Sequence, residues 1–381
     1  MGRQFLASDA PIHYTLVMIT ADTPGAALQP TAYIYDPLYL THDTGSHHVE
    51  RPERLLAIKA AFARYGLVQE DGYLAPPAAT LEQLARVQDR AYIRRVEQIA
   101  AGGGRWMDPD TNISAYSWAA AVRSAGGAVL GADLLLRGEQ RSVFALIRPP
   151  GHHANAGHAM GFCIFNNAAV AAAHAMAEYG LERVMIVDWD VHHGNGTQDI
   201  FYSDPRVLYF STHEYPFYPG SGGADEIGAG AGRGYTLNVP LPHHVGNAGY
   251  LQAYHALLLP AAARFQPQLV IVSAGYDAHH TDPIAYMKLD AQGYYQMAAI
   301  VKQIADLYCG GRVLVLLEGG YNLNGIAESA AATCFALNAQ PLPAEIVSEQ
   351  YIDSFRYDPV WYEGTPDVGD LLAEIRRLHN L

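Results

Sequence analysis

Five short apolar runs, at residues 143–147, 184–187, 207–211, 269–273 and 313–317, are rich in Val, Ile and Leu and are mostly separated by longer stretches with helical spacing. Runs of that length and branching predict buried strands. Residues 167–179, 250–265 and 291–308 read as helices between them, and the alternation predicts a mostly parallel, multi-stranded sheet with helices on both faces. Upstream, 33–36 reads as a further strand. Pro52 opens a helix reaching about Arg64, with Leu55, Leu56, Ile58, Ala61 and Phe62 at helical spacing. A second helix is expected over 81–100. A break at Gly102-Gly103-Gly104 and an acidic loop at Asp108-Pro109-Asp110-Thr111 follow, and then an alanine-rich helix over 114–136 whose apolar breadth predicts burial. Residues 371–381 carry an amphipathic pattern suited to docking on the domain or on a second subunit. No repeat, linker or composition shift divides the chain, so a single α/β domain is expected over residues 31–381, after a weakly ordered extension over 1–30.

Each of the five runs is followed at once by residues able to do chemistry. These are Arg148-Pro149-Pro150-Gly151-His152-His153, Asp188-Trp189-Asp190-Val191-His192-His193-Gly194, Thr212-His213-Glu214, the stretch from Gly275-Tyr276-Asp277 to Asp282-Pro283, and Glu318-Gly319-Gly320-Tyr321. In open α/β sheets ligands bind beyond the carboxyl ends of the strands, so five loops deliver polar groups to one edge. If the chain stays extended past residue 187, Asp188, Asp190 and His192 point the same way. Like charges that close ask for a cation between them. An Asp-x-Asp by itself is usually a turn or a helix cap; it is the convergence of the loops that favours a metal.

Composition narrows the partners. Half of the 381 residues are hydrophobic and 16% are charged, a globular balance, and the net charge is −14. An acidic chain whose only lysines are Lys59, Lys288 and Lys302 cannot assemble a basic stripe, which argues against nucleic acid or an anionic membrane as partner and favours a cationic substrate or basic peptide. Cys163, Cys309 and Cys334 are few and widely spaced, as expected of free thiols in a reducing compartment. No apolar run is expected to reach the length of a membrane span, and a cytoplasmic protein is expected. A homo-oligomer is left open.

In order along the chain, Glu50-Arg51-Pro52-Glu53-Arg54-Leu55, Pro150-Gly151-His152-His153, Gly161-Phe162-Cys163, the stretch from Asp188 to Gly194, Ala274-Gly275-Tyr276-Asp277 ending in Asp282-Pro283, and Glu318-Gly319-Gly320-Tyr321 together resemble the zinc-dependent histone deacetylase and acetylpolyamine amidohydrolase family, with its arginase/deacetylase-like fold, over residues 32–335. The resemblance implies one Zn²⁺ held by Asp190, His192 and Asp282. Three N and O ligands leave a position open for water, as a catalytic zinc requires. It also implies His153 as general base and acid, His152 as electrostatic support oriented by Asp188, and Tyr321 as donor to the oxyanion. Phe162 and Tyr218, with Gly161 and Ile284, match the narrow substrate channel. K⁺ or Na⁺ is implied near Asp188, Asp190, His192, Ser211 and Thr212, and a second such ion near Phe201 and Val207.

Departures from the family pattern limit what carries over. Asn195 stands where several eukaryotic deacetylases place an Asp behind the second histidine, as in the class II branch and its bacterial relatives. Ile284 replaces the acidic gatekeeper of the polyamine-selective branch. The expected activity is therefore removal of acetyl or other short acyl groups from lysine-like or other aliphatic amines, on a small-molecule or peptide substrate. An acetylpolyamine amidohydrolase is the alternative. A binuclear manganese ureohydrolase would need carboxylates in place of His193 and Asn195, and a silent acyl-ligand binder would not need Tyr321.

Overall fold

The computed structural model describes residues 31–348 and 365–381; the extension expected over 1–30 lies outside the described residues. In chain order the elements begin with β1 (Ala32–Ile34), α1 (Glu53–Arg64), β2 (Tyr73–Leu74), α2 (Leu81–Leu84), α3 (Arg90–Ala101), β3 (Gly104–Trp106), β4 (Asn112–Ser114) and α4 (Ser117–Leu136). They continue with β5 (Ser142–Ala145), α5 (Asn167–Tyr179), β6 (Val184–Asp188), α6 (Asn195–Phe201), β7 (Val207–Glu214), β8 (Thr236–Leu241), α7 (Asn247–Ala253) and α8 (Leu259–Phe265). The last are β9 (Leu269–Ala274), α9 (Ala291–Tyr308), β10 (Val313–Leu317), α10 (Leu323–Leu337), α11 (Ala344–Ser348) and α12 (Gly369–His379).

Eight strands form one sheet in the order β2-β1-β5-β10-β9-β6-β7-β8. Every neighbouring pair is parallel, which places the carboxyl ends on one edge. β5, β6, β7, β9 and β10 are buried at every residue. That explains their continuous apolar runs: both faces are covered, so no polar alternation is tolerated. α1, α9 and α10 pack side by side, and α4 pairs with α5. The tight packing uses small residues: a Cβ at Gly131 would come within 2.4 Å of Leu314, and one at Gly126 within 1.9 Å of the Pro77 carbonyl.

Four sequence expectations are corrected. The helix expected over 81–100 is two helices. Between them the Asp89 amide donates to the Ala156 carbonyl and Gln88 Nε2 to that of Asn155, both at 2.6 Å, so the chain leaves the helical ladder to dock on the histidine-bearing loop. The helix expected over 250–265 is interrupted by a turn of π-helix at Tyr254–Leu258. It comes just before Pro260, which has no N–H to give and whose ring would crowd the carbonyl four residues back. The glycine-rich break enters a small antiparallel hairpin, β3 with β4. Finally, α4 is long and apolar enough to cross a membrane by length and composition; here it is largely buried inside the protein. The amphipathic helix at the carboxyl end docks on this same chain, with Leu372 and Ile375 buried against β8 and the π-helical turn.

Candidate active site

β6 delivers the central residues. Asp188 is its last residue and pairs in register with Ser211 of β7 and Ser273 of β9. Past this point the chain does not stay extended. The Asp188 carboxylate accepts from the Asp190 amide (3.2 Å) and the Asp190 carboxylate from the His192 amide (2.9 Å), two successive side-chain-closed turns. Amides that leave the ladder need acceptors, and the two aspartates supply them. The same-facing arrangement is therefore replaced by a divergent one. Asp188 turns to His152 Nδ1 (3.1 Å) and the Tyr209 hydroxyl (3.0 Å), while Asp190 stays with His192, whose Nδ1 lies 3.0 Å from Asp190 Oδ1.

β9 and β10 bring the remaining carboxylates. Donor atoms of Asp190, His192 and Asp277 all lie within 4.8 Å of one another. Asp277 Oδ1 accepts from the Val191 amide at 2.8 Å, whereas its buried Oδ2 has no aligned donor, although His192 Nδ1 is 3.2 Å away. Asp282, expected as the third metal ligand, lies outside that close group but near enough to feel the charges of Asp277 and His192; its oxygens accept from the amides of Tyr321 (2.7 Å) and Ile284 (3.1 Å). Burial, and then the charge of Asp277, push the Asp282 carboxyl up to about 8. Burial and then Asp190 push Asp277 up to about 6. Three buried carboxylates around one imidazole are short of positive charge, and a donor set of one N and several O atoms suits a divalent cation such as Zn²⁺. The approach is close enough to require glycine: a Cβ at Gly275 would sit 2.1 Å from Asp190 Oδ2, and one at Gly319 2.1 Å from Asp277 Oδ2.

The tandem histidines follow β5. Their ring centroids are 4.0 Å apart, yet their surroundings differ. Burial would lower the His152 pKa, but Asp190 and Asp188 outweigh it and hold it up to about 10. His153 is driven well below the usual imidazole range by burial, then by His152 and His192. Its Nδ1 lies 2.8 Å from Asn195 Oδ1. An amide oxygen only accepts, so Nδ1 carries the proton and Nε2 is left with its lone pair. Asn195 is the first residue of α6, a helix absent from the sequence reading. The preceding Gly194 leaves no room for a side chain: a Cβ would lie 2.2 Å from Asp188 Oδ2.

Aromatic rings lead from this site to the surface. Tyr321 is 8% exposed and Tyr218 37%, so the faces run outward. Phe162 meets Tyr321 edge-on at 5.8 Å, and Tyr218 meets His153 edge-on at 5.2 Å. Phe162 is held at a φ of 67°, a conformation that costs about 1–3 kcal/mol in a non-glycine residue and marks a constrained site. A Cβ at the preceding Gly161 would come within 2.3 Å of the His153 ring. Ile284 is half-buried. Ser211 and Thr212 are both buried in the carboxyl half of β7, Ser211 opposite Asp188.

Several members of the site carried no assigned role in the sequence reading. Phe217 stacks on the His192 ring at 5.5 Å and 19°. Glu318, directly after β10, accepts from the amides of Gly151 (2.6 Å) and His152 (3.2 Å), and burial pushes its carboxyl up to about 7. Arg54 donates to the carbonyls of Gly320 (2.6 Å) and Glu318 and lies 5.0 Å from the centre of the Tyr321 ring. Arg54 and Arg148 share the buried Glu50 carboxylate. The available signal was position: Asp277 and Glu318 each lie just past a predicted strand.

Comparison with known proteins identifies the family and the fold. The histone deacetylase domain model matches residues 48–337. A probable deacetylase of Archaeoglobus fulgidus is 41% identical over 297 residues, 77% of this chain and 82% of that one. A histone deacetylase-like amidohydrolase of Pseudomonas aeruginosa is 40% identical over 310 residues, with the same coverage of 77% and 82%. The crystal structure of the HDA15 HD domain superimposes with a TM-score of 0.82 at 37% identity, covering 93% of this chain and 95% of that one. An eight-stranded parallel sheet with these loops at its carboxyl edge, and this degree of identity over most of the chain, have one reading: the chain belongs to the histone deacetylase domain family.

Proposed function

We propose that this protein is a zinc-dependent deacetylase that hydrolyses an N-acyl amide on a lysine-like or other aliphatic amine. The observation that carries the reading is the unequal histidine pair, His152 with its Nδ1 on the Asp188 carboxylate and His153 with its Nδ1 on the Asn195 amide oxygen, beside a buried cluster of metal-ligating groups. Asp190, His192 and Asp282 would hold Zn²⁺, and Asp277 would brace the loop between Asp190 and His192 through the Val191 amide. Bound there, Zn²⁺ would lower the pKa of a water and polarise the substrate carbonyl. His153 Nε2 accepts a proton from the attacking water and returns it to the departing amine, with Asn195 keeping the ring in the tautomer that can do so. His152 supplies positive charge beside the developing oxyanion. Tyr321 donates its hydroxyl to that oxygen; burial keeps the phenol protonated. Phe162 and Tyr218 would flank an aliphatic arm. A monovalent cation, K⁺ or Na⁺, would sit behind Asp188 with Ser211 and Thr212. The buried unpaired thiols of Cys163, Cys309 and Cys334 fit a reducing, cytoplasmic setting.

One observation supports a polyamine substrate as second reading. After burial, the charges of Asp110 and Asp108 raise the Tyr218 phenol, so an acidic loop borders the channel mouth, where a cationic tail would lie. Kinetics on an acetyl-lysine peptide beside acetylated putrescine, cadaverine and spermidine separate the two. Tyr321→Phe is expected to lower kcat by roughly 10²–10³-fold with zinc content unchanged. Full activity in Tyr321→Phe or in Asp190→Ala would overturn the mechanism.

A further inference from the structure

The loop between β7 and β8 carries Phe217, stacked on His192, and Tyr218, edged against His153. Behind it runs a polar chain that the chemistry above does not use. Glu226 Oε1 accepts from the amides of Gly222 (2.9 Å) and Gly223 (3.0 Å), and Oε2 accepts from Gln198 Nε2 (2.5 Å). With its nitrogen so engaged, Gln198 turns its oxygen the other way. There it accepts from Asn238 Nδ2 (2.7 Å) and His193 Nε2 (3.0 Å). His193 Nδ1 is then left to accept from the Ser221 hydroxyl (2.8 Å). His213 makes a matching contact: its Nε2 donates to the Gly222 carbonyl (2.9 Å) and its Nδ1 accepts from Ser211 (2.9 Å). The loop backbone is seated closely on these two rings, since a Cβ at Gly222 would lie 2.5 Å from His213 Nε2 and 2.6 Å from His193 Cγ.

We propose that Glu226 and Gln198 are positioning residues for substrate binding: their paired side chains orient His193 and clamp Ser221 to Gly223, which sets where Phe217 and Tyr218 stand along the channel. Gln198, Asn238, His193 and His213 are all buried, and each of their side-chain N–H donors described above has an acceptor. In buried networks satisfaction of each member rigidifies the whole, and one mismatch forces the rest to move. Gln198 rises from α6, the helix that begins with Asn195, so the clamp ties the channel wall to the element that orients His153. The inference rests on the Phe162 and Tyr218 faces being the substrate channel.

The test exploits complementarity. Gln198→Glu sets two carboxylates against each other where 2.5 Å now separates donor from acceptor. Glu226→Gln opposes two amide nitrogens unless Gln198, His193 and Asn238 all turn together. In the double variant Gln198→Glu with Glu226→Gln, every donor again faces an acceptor. Measured at pH 8 on an acetyl-lysine peptide, Gln198→Glu is expected to raise KM at least tenfold with kcat within threefold, and the double variant to return KM to within threefold of the parent. Hydrogen exchange of the peptide covering residues 216–226 should speed up at least tenfold in Gln198→Glu and recover in the double variant. Unchanged KM and exchange in Gln198→Glu, or a double variant worse than Gln198→Glu, would overturn the proposal. Exchange needs no turnover, so a parent enzyme inactive on every acyl amine would count against the deacetylase reading, while recovery of protection would still support the clamp.

Discussion

Glu50 shows how one buried residue underlies a catalytic loop. Its carboxylate is fully buried and pairs with Arg148 Nε (2.5 Å) and Arg54 Nη1 (3.0 Å), and Arg54 in turn holds the carbonyls on either side of Gly319. Glu50→Gln leaves two buried guanidinium groups without their counter-charge, which should cost about 3–5 kcal/mol in urea denaturation. The pH dependence follows from the same cluster. Burial and then Arg148 lower the His42 pKa to about 3, so the ring stays neutral in the fold while an unfolded histidine gains a proton below about 6.5. Between those values the unfolded chain binds the extra proton, and stability falls as pH falls. Arg148 and Arg54 outweigh burial and hold Glu50 down to about 2, which adds a second loss of the same sign below about 4.5. His42→Gln should therefore flatten the slope of unfolding free energy against pH between about 6.5 and 3 by roughly one proton, read from denaturation at a series of pH values.

At the scale of elements, α12 closes the edge of the sheet. It packs against β8, the outermost strand, with Ile375 fully buried and the His379 carbonyl receiving Arg264 Nη1 at 2.6 Å. Ile375→Ala should cost about 2–5 kcal/mol, the range for a buried aliphatic side chain whose space cannot collapse. β8 also bears Asn238, which contacts the Gln198 amide, so the loss is expected to loosen the β7–β8 connection as well. A variant as stable as the parent in urea would show that α12 is only loosely docked.

For the whole molecule, the sheet edge concentrates negative charge at its centre. Asp188, Asp190, Asp277 and Asp282 are all buried and come from two different strands and their loops. A fold that brings buried carboxylates together is strained without a cation. Removal of metal by a chelator is accordingly expected to abolish turnover and also to lower the melting temperature, with both restored by Zn²⁺. Turnover that persists after chelation with no zinc detected in the protein would contradict the proposed site.

The amino-acid sequence by itself determined the layered α/β architecture. Residues 143–147, 184–187, 207–211, 269–273 and 313–317 had to be buried on both faces, and only a covered parallel sheet allows that. It also placed the chemistry, because polar residues directly after such runs fall at one edge whatever the strand order. Strand order itself, with β10 and β9 between β5 and β6, depends on contacts far apart in the chain and was not legible. Nor was the parting of Asp188 from Asp190: period-two logic holds only while the ladder lasts, and beyond Asp188 the freed amides took the carboxylates as acceptors. Asp277 and Phe217 lay in plain view, but their nearness to His192 arises from loops of separate strands meeting in space. The network from Glu226 through Gln198 to His193 has no sequence signature, because which end of an amide faces which neighbour is decided only when every buried donor must find its acceptor.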